Sequence, residues 1–267
     1  MTRDLDATHF ESDAGAEAPA DPHVKPYVYE DASTRSLNFS MLELQSRMRL
    51  KEPDALDLAY TRTMMGFLLF CGAPASLAMI GLGGGSLAKF CHRHLPQTRI
   101  TAVEINPHVI ALRDRFLIPP DDHRFQVVQA DGADFVAQAS EPIDVLLVDG
   151  FDYDGQPEAL CSQGFYDAAA AALAPQGLLV VNLHAGHADH GLYLKRIARS
   201  FDGATLEVAL RDEANSVVFG FGAALAPARP ASVMRRPAAL APPAWAALKP
   251  ALARVAAAAR ERFGPAA

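Results

Sequence analysis

Three carboxylates, Glu104, Asp131 and Asp149, each stand at or just after the end of a short apolar run, and a glycine turn, Gly81 to Gly85, follows another. These residue types suit an adenosine-like ligand. Glycines allow positive φ and let a ligand come close to the backbone. Glu104 lies 23 positions after Gly81, a spacing that lets an acid accept hydrogen bonds from a ribose diol. Asp131, followed by Gly132, can accept from an adenine amino group. Asp149 opens the run Asp149-Gly150-Phe151-Asp152-Tyr153-Asp154. Closely spaced carboxylates can bind an ammonium group, and one can take the proton of an amine as it becomes a nucleophile. Each acid alone has an ordinary alternative, a helix cap or a solvated turn carboxylate. Their recurrence at successive run ends is what points to a site. The turn departs from G-x-G-x-x-G because Ser86 takes the last glycine place, which weakens a dinucleotide reading and leaves a mononucleoside open.

The elements that must position these residues alternate regularly. Ser76–Ile80 reads as a buried strand, Ser86–His94 as a helix whose N-terminus faces the glycine turn, and Arg99–Val103 as a second strand ending at Glu104. A helix starts near Pro107, a favoured place for proline, and runs to about Phe116. Strands follow at Phe125–Gln129, Asp144–Val148 and Leu178–Leu183, and helices at Ala133–Ala139, Ser162–Leu173 and Leu192–Phe201. Thr205–Leu210 and Ser216–Phe221 close the pattern. Alternating β and α elements predict an α/β fold, a Rossmann-like and mainly parallel sheet with helices on both faces. Ligands of such sheets bind beyond the carboxyl ends of the strands.

Four segments follow from composition. Residues 1–24 are acidic, rich in Ala, Asp and Pro, and expected to be disordered. Residues 25–53 read as a small β region, with Tyr27–Tyr29 and Leu37–Phe39 flanking a turn at Asp31–Arg35. Residues 54–225 hold the nucleoside-binding domain, opening on a helix over Asp54–Phe70 with Asp54 as its N-cap. Residues 226–267 form an Ala/Pro-rich basic tail, either low-complexity or an amphipathic helix over Pro243–Phe263 with Trp245, Leu248, Leu252 and Val255 near one face.

The 267 residues carry a net charge of −7. Residues 1–22 hold six acids and one base, and residues 227–267 seven bases and one acid. The centre is therefore acidic, which suits a cationic substrate better than nucleic acid. The three cysteines are scattered without C-x-x-C, which argues for a reducing compartment and against structural zinc. Thr63–Ala88 is uncharged over 26 positions but holds six glycines and Pro74. It reads as a helix end, a loop, a strand and a turn rather than a membrane span. No basic-then-apolar leader opens the chain, so a cytoplasmic location is expected. His184, His187 and His190 have the types for a metal site, but nothing sets their geometry; a polar loop or an acid/base histidine is the plainer reading, and no metal is expected.

The segments IGLGGGSLAKF, TAVEINPHVIAL, FQVVQADGADFV and DVLLVDGFD…CSQGFYDAAAAALAPQGLLVVNL resemble the spermidine synthase (polyamine aminopropyltransferase) family. The resemblance covers Ser76 to about Phe221, with a fainter echo over Tyr27–Met65. It implies a class I methyltransferase-like fold behind a small N-terminal β domain. The activity it implies is aminopropyl transfer from decarboxylated S-adenosylmethionine to a small amine, releasing methylthioadenosine. By resemblance Glu104 holds the ribose and Asp131 the adenine, while Gln45 lies near the nucleoside beside Gly81, Gly83, Gly85 and Gly132. Asp149 is the base, Asp152 helps bind the amine, and Tyr60 matches the tyrosine of the family's Y-H-E. Asp154 belongs to the same acidic run. No tightly bound cofactor is implied, and a homodimer is.

Departures fall on the amine side. The family's G-G-G-D-G-G acid, which holds the donor's ammonium, is replaced by Gly84. Its D-E-x-x-Y-H-E reads L-D-L-A-Y-T-R, so Leu56, Thr61 and Arg62 replace an acid, a histidine and a glutamate. An arginine in a dication's tunnel would repel the substrate. A methyltransferase using ordinary S-adenosylmethionine, and a non-catalytic nucleoside binder, are therefore the alternatives. An NAD-dependent dehydrogenase is more distant.

Overall fold

The structure is a computed structural model; it describes residues 21–40, 44–151, 155–210, 214–225, 236–237 and 240–264. The acidic stretch before residue 21, together with Asp152 and Asp154, lies outside the described residues.

Three short strands open the fold as an antiparallel sheet: β1 (Tyr27–Glu30), β2 (Thr34–Asn38) and β3 (Leu44–Arg49). Asp31 makes the first turn by accepting the N–H groups of Ser33 and Thr34, each at 2.7 Å. Leu37 and Met48 bury against the main domain.

The helix expected over Asp54–Phe70 is shorter. It comprises α1 (Ala59–Met64) and a 3-10 turn, Met65–Leu69. Asp54 does not cap it but pairs with Arg93 at 2.5 Å. Residues 56–57 are held out of the helix instead. Arg62 donates to the carbonyls of Leu56 and Asp57 at 2.6 and 2.7 Å, and the Asp57 carboxylate takes Arg47 and Arg49. Within the 3-10 turn Gly66 is closely packed, since a Cβ there would lie 2.8 Å from Phe219.

The central sheet has seven strands: β4 (Ser76–Ile80), β5 (Arg99–Glu104), β6 (Phe125–Gln129), β7 (Ile143–Val148), β8 (Leu173–His184), β9 (Thr205–Ala209) and β10 (Asn215–Phe221). Their order is β6-β5-β4-β7-β8-β10-β9. The pairs from β6 through β8 are parallel, and β10 is antiparallel to both neighbours. The order reverses between β4 and β7, which opens a crevice at their carboxyl ends.

Helices cover both faces: α2 (Ser86–His94), α3 (Pro107–Ile110), α4 (Gly132–Ala137), α5 (Glu158–Cys161), α6 (Gln163–Ala172), α7 (His190–Ser200) and α8 (Pro242–Phe263). Alternate residues of one strand serve opposite cores. Leu77 and Met79 of β4 pack with Phe67, Phe90 and Leu252, whereas Ala78 and Ile80 pack with Val136, Phe165 and Ile197. This double burial explains why the strands read as unbroken apolar runs.

α3 stops earlier than the expected Phe116. Lys89 takes the Phe116 carbonyl at 2.8 Å, Arg35 takes that of Arg115, and Leu117 has φ 55°. Past Ile110 the backbone goes on as turns whose hydrogen bonds mix three- and four-residue spacings (Leu112 to Val109, Arg113 to Ile110, Phe116 to Leu112), and the captured carbonyls and left-handed Leu117 close that stretch. Phe165 and Tyr166 are packed, as expected for helix residues. The short α5 was not foreseen.

The basic C-terminal segment contains a 22-residue helix, α8. It buries Leu248, Leu252 and Val255 against α1, the 3-10 turn and β9. Among the described residues no helix is long and apolar enough to cross a membrane. If α8 is integral to the fold, Leu252→Ala should lower stability by about 2–5 kcal/mol, read as a lower urea midpoint. An unchanged midpoint would make α8 a dispensable appendage.

Candidate active site

The glycine turn begins where β4 leaves the sheet. Gly81 (φ 94°) donates its N–H to the Val103 carbonyl at 2.8 Å on β5, and the Asp149 N–H at the end of β7 donates to the Ile80 carbonyl at 2.9 Å. A Cβ on Gly81 would overlap the Asp149 carbonyl oxygen, so only glycine lets the two strand ends meet. Gly83 (φ 51°) and Gly85 (φ 67°) continue the turn, with Gly85 at the N-cap of α2.

Beyond this turn lies a cavity of about 370 Å³. Gln45, Tyr60, Gly81, Gly83, Glu104, Asp131, Gly132 and Asp149 all line it. The structure thus brings most of the candidate residues to one place. Gly85 is not in the lining. Leu82, Ser46 and Ile105 join it, and Asn106 is a buried member.

Both Glu104 oxygens are fixed by backbone. Oε2 accepts the Leu82 N–H and Oε1 the Asn106 N–H, each at 2.9 Å. This sets the carboxylate at the mouth of the glycine turn while each oxygen keeps capacity for a further donor. Asp131 realises the ordinary alternative and still faces the cavity. Its Oδ1 caps α4 by accepting from Ala133 at 2.7 Å and Asp134 at 3.2 Å.

Asp149 is part-buried. Its Oδ1 accepts from Asn182 Nδ2 at 2.8 Å and its Oδ2 from the Tyr60 hydroxyl at 3.2 Å. Burial pushes its pKa up to about 6, against the pull of these two hydrogen bonds. Asn182 is only 2% exposed and is itself oriented: Asn215 donates to its Oδ1 at 3.0 Å and Gln156 to its carbonyl at 3.0 Å. Sequence reading missed Asn182, Asn215 and Gln156 as Asp149's supports. The available signal was one asparagine in the apolar run of β8, since a buried amide requires partners.

The departures have structural explanations. Gly84 is closed in: a Cβ there would lie 2.7 Å from Ser46 Oγ and 2.9 Å from Phe116, leaving no room for an acid. Arg62 does not enter the cavity, contrary to the repulsion expected of it. It is not in the lining and is spent on the 56–57 carbonyls. Thr61 does line the cavity, with its hydroxyl donated to the Leu58 carbonyl at 2.7 Å. Leu56 is core. The histidines go separate ways. His187 stacks on Tyr193, and His190 lies 3.4 Å from Glu207. Among the described residues no three metal-ligating side chains converge.

A seven-stranded sheet reversed at β4/β7, with an acid after β5 and a glycine turn into α2, defines a class I methyltransferase-like protein. Comparison with known proteins narrows the class. Residues 57–213 match the model of the spermine/spermidine synthase domain. A polyamine aminopropyltransferase of Neisseria meningitidis serogroup A is 38% identical over 196 residues, covering 73% of this chain and 74% of that protein. The chain belongs to the spermine/spermidine synthase domain family. Among solved structures, a probable spermidine synthase from Corynebacterium glutamicum superposes with a TM-score of 0.63 at 21% identity, covering 73% of this chain and 76% of its own. Human methyltransferase-like protein 13, in complex with SAH, gives 0.55 at 24%, covering 75% and 93%. These two likenesses concern the fold.

Asp149's raised pKa has a stability consequence. The folded protein holds the Asp149 proton more tightly than the unfolded chain, so its contribution to stability is lost as pH rises through about 6. Asp149→Asn should therefore be more stable than wild type at pH 8, on the order of 2 kcal/mol. The advantage should shrink below pH 6 and vanish near pH 4, as read by melting temperature. A variant less stable than wild type at pH 8 would contradict this account.

Proposed function

We propose that this chain is an aminopropyltransferase that takes decarboxylated S-adenosylmethionine as co-substrate and a small amine as acceptor, within polyamine biosynthesis. The observation that carries the reading is the placement of part-buried Asp149, with a pKa near 6, in one cavity with Glu104 and Asp131. Glu104 accepts the two ribose hydroxyls and Asp131 the adenine amino group. Gln45, Gly81, Gly83 and Gly132 complete the nucleoside side, and Gly85 sets the turn. The acceptor nitrogen forms a bond to the aminopropyl carbon as the carbon–sulfur bond breaks. The sulfonium leaves as the neutral thioether of methylthioadenosine, and the amine's proton passes to Asp149. A carboxylate lifted to about 6 is ionised at neutral pH yet basic enough to take that proton. Asn182 and Tyr60 aim it, and alignment of nitrogen, carbon and sulfur supplies much of the acceleration. Asp152 and Asp154, beyond the described residues, hold the acceptor's other ammonium group. No tightly bound cofactor is invoked, and the acidic centre suits a cationic amine rather than nucleic acid. A cytoplasmic homodimer completes the proposal. The free cysteines are consistent with the location, and the dimer rests on the family resemblance.

One observation favours a second reading, methyl transfer from S-adenosylmethionine. The packing of Ser46 and Phe116 on Gly84 leaves out the acid that would hold the donor's ammonium group.

Calorimetry with decarboxylated S-adenosylmethionine, S-adenosylmethionine and methylthioadenosine separates the two. Preference for the decarboxylated donor, with aminopropylated amine as product, is expected. Preference for S-adenosylmethionine would move the reaction to methyl transfer, and no binding would sink both. Asp149→Asn should lower turnover by roughly 10²–10⁴-fold while methylthioadenosine affinity changes little. Asn182→Ala should move the acidic limb of the pH–rate profile upward, because it removes a hydrogen bond that lowers the Asp149 pKa. A limb that stays in place would dissociate Asn182 from catalysis.

A further inference from the structure

The stretch ahead of the N-terminal sheet was expected to be disordered throughout, yet its last residues sit at the cavity. Pro22, His23 and Val24 line the same space as Glu104 and Ile105. Their attachment is specific. The Val24 carbonyl accepts from Asn106 Nδ2 at 2.8 Å, and Asp21 Oδ2 meets His108 Nε2 at 2.5 Å. Asp21 Oδ1 also accepts the His23 N–H at 2.9 Å, which turns the segment inward.

Asn106 is the junction. It is 7% exposed, and its three polar groups point three ways. The N–H goes to Glu104 Oε1 at 2.9 Å, Oδ1 accepts the His108 N–H at 2.9 Å, and Nδ2 holds Val24. One buried amide thus fixes the carboxylate assigned to the ribose, the start of α3 and the strap.

Two branched aliphatic side chains are left uncovered in this part of the wall. Val24 is 46% and Ile105 48% exposed, and both belong to the cavity lining. Apolar surface of this kind gains from being covered by a flat, weakly polar ring, and the purine of a nucleoside whose ribose sits on Glu104 is such a ring. We propose that residues 21–24 form a strap that completes the nucleoside pocket, with Val24 and Ile105 contacting the purine and Asn106 tying the strap to the ribose-binding carboxylate. This deepens the proposed function and rests on its nucleoside ligand.

The test uses the full chain and methylthioadenosine. Calorimetry gives the dissociation constant, and hydrogen exchange follows the amides of residues 23–25 and of the glycine turn. In wild type both sets should gain protection on saturation. Val24→Ser, at an exposed position where folding is not at risk, should weaken binding about 5- to 10-fold. Asn106→Asp keeps an oxygen for the His108 N–H and the backbone N–H for Glu104 but removes the donor to Val24. It should abolish the gain at residues 23–25 while the glycine turn keeps its own. His108→Gln, outside the cavity, should weaken binding about 2- to 3-fold by loosening Asp21. Wild-type binding with no change at residues 23–25, or Val24→Ser within twofold of wild type, would overturn the strap alone. Absence of methylthioadenosine binding to wild type would overturn the nucleoside reading and the strap with it.

Discussion

The site depends on the closing rungs of two parallel pairings. β4 is hydrogen-bonded to β5 on one side and β7 on the other, and both ladders end at the same level. Gly81 reaches Val103 across one, and Asp149 reaches Ile80 across the other. Beyond those rungs the strands part and their side chains turn to the cavity. A side chain at residue 81 would collide with the Asp149 carbonyl, so the separation of Glu104 and Asp149 is set by backbone contact. Strand ends fixed in this way hold their side chains in a set geometry, which the proposed displacement would use for alignment.

The two halves of the cavity are governed by different physics. Around Glu104 the donors are main-chain N–H groups, and a carboxylate held by them is well solvated by the protein. Around Asp149 the supports are amide side chains and one phenol, set in a drier environment that disfavours charge. In the proposed reaction Asp149 receives the amine's proton, and its setting favours keeping it. The fold gives the two acids different settings within one crevice by varying what lies behind each strand end. The closure over Gly84 shows the same economy: Ser46, from the small N-terminal sheet, fills space that an acidic side chain would need.

Much of this was legible in the sequence because the informative residues sit at element ends. β4, α2 and β6 fall where periodicity and glycine spacing put them, and Glu104, Asp131 and Asp149 fall at the strand ends. What was not legible depended on long-range capture. α3 ends at Ile110 and gives way to turns of mixed spacing, and Lys89 and Arg35, distant in sequence, take the carbonyls that close this stretch. The helix over Asp54–Phe70 shrank because Arg62 folds back on residues 56–57. That same arginine looked like a charge in the cavity until its partners were visible. The amide relay through Asn182 and Asn215 joins two strands made adjacent by the fold, a proximity that one-dimensional spacing does not express.

Tyr60, which touches Asp149, stands on the short α1, and α1 is packed against α8. Arg254 of α8 reaches Thr63 at 3.5 Å across 191 positions of chain. A six-residue helix has little stability of its own, so its orientation is borrowed from the elements packed on it, α8 and the strands β10 and β8. The seating of the tyrosine beside Asp149 is thereby coupled to a helix far along the chain, away from the strand ends that frame the cavity.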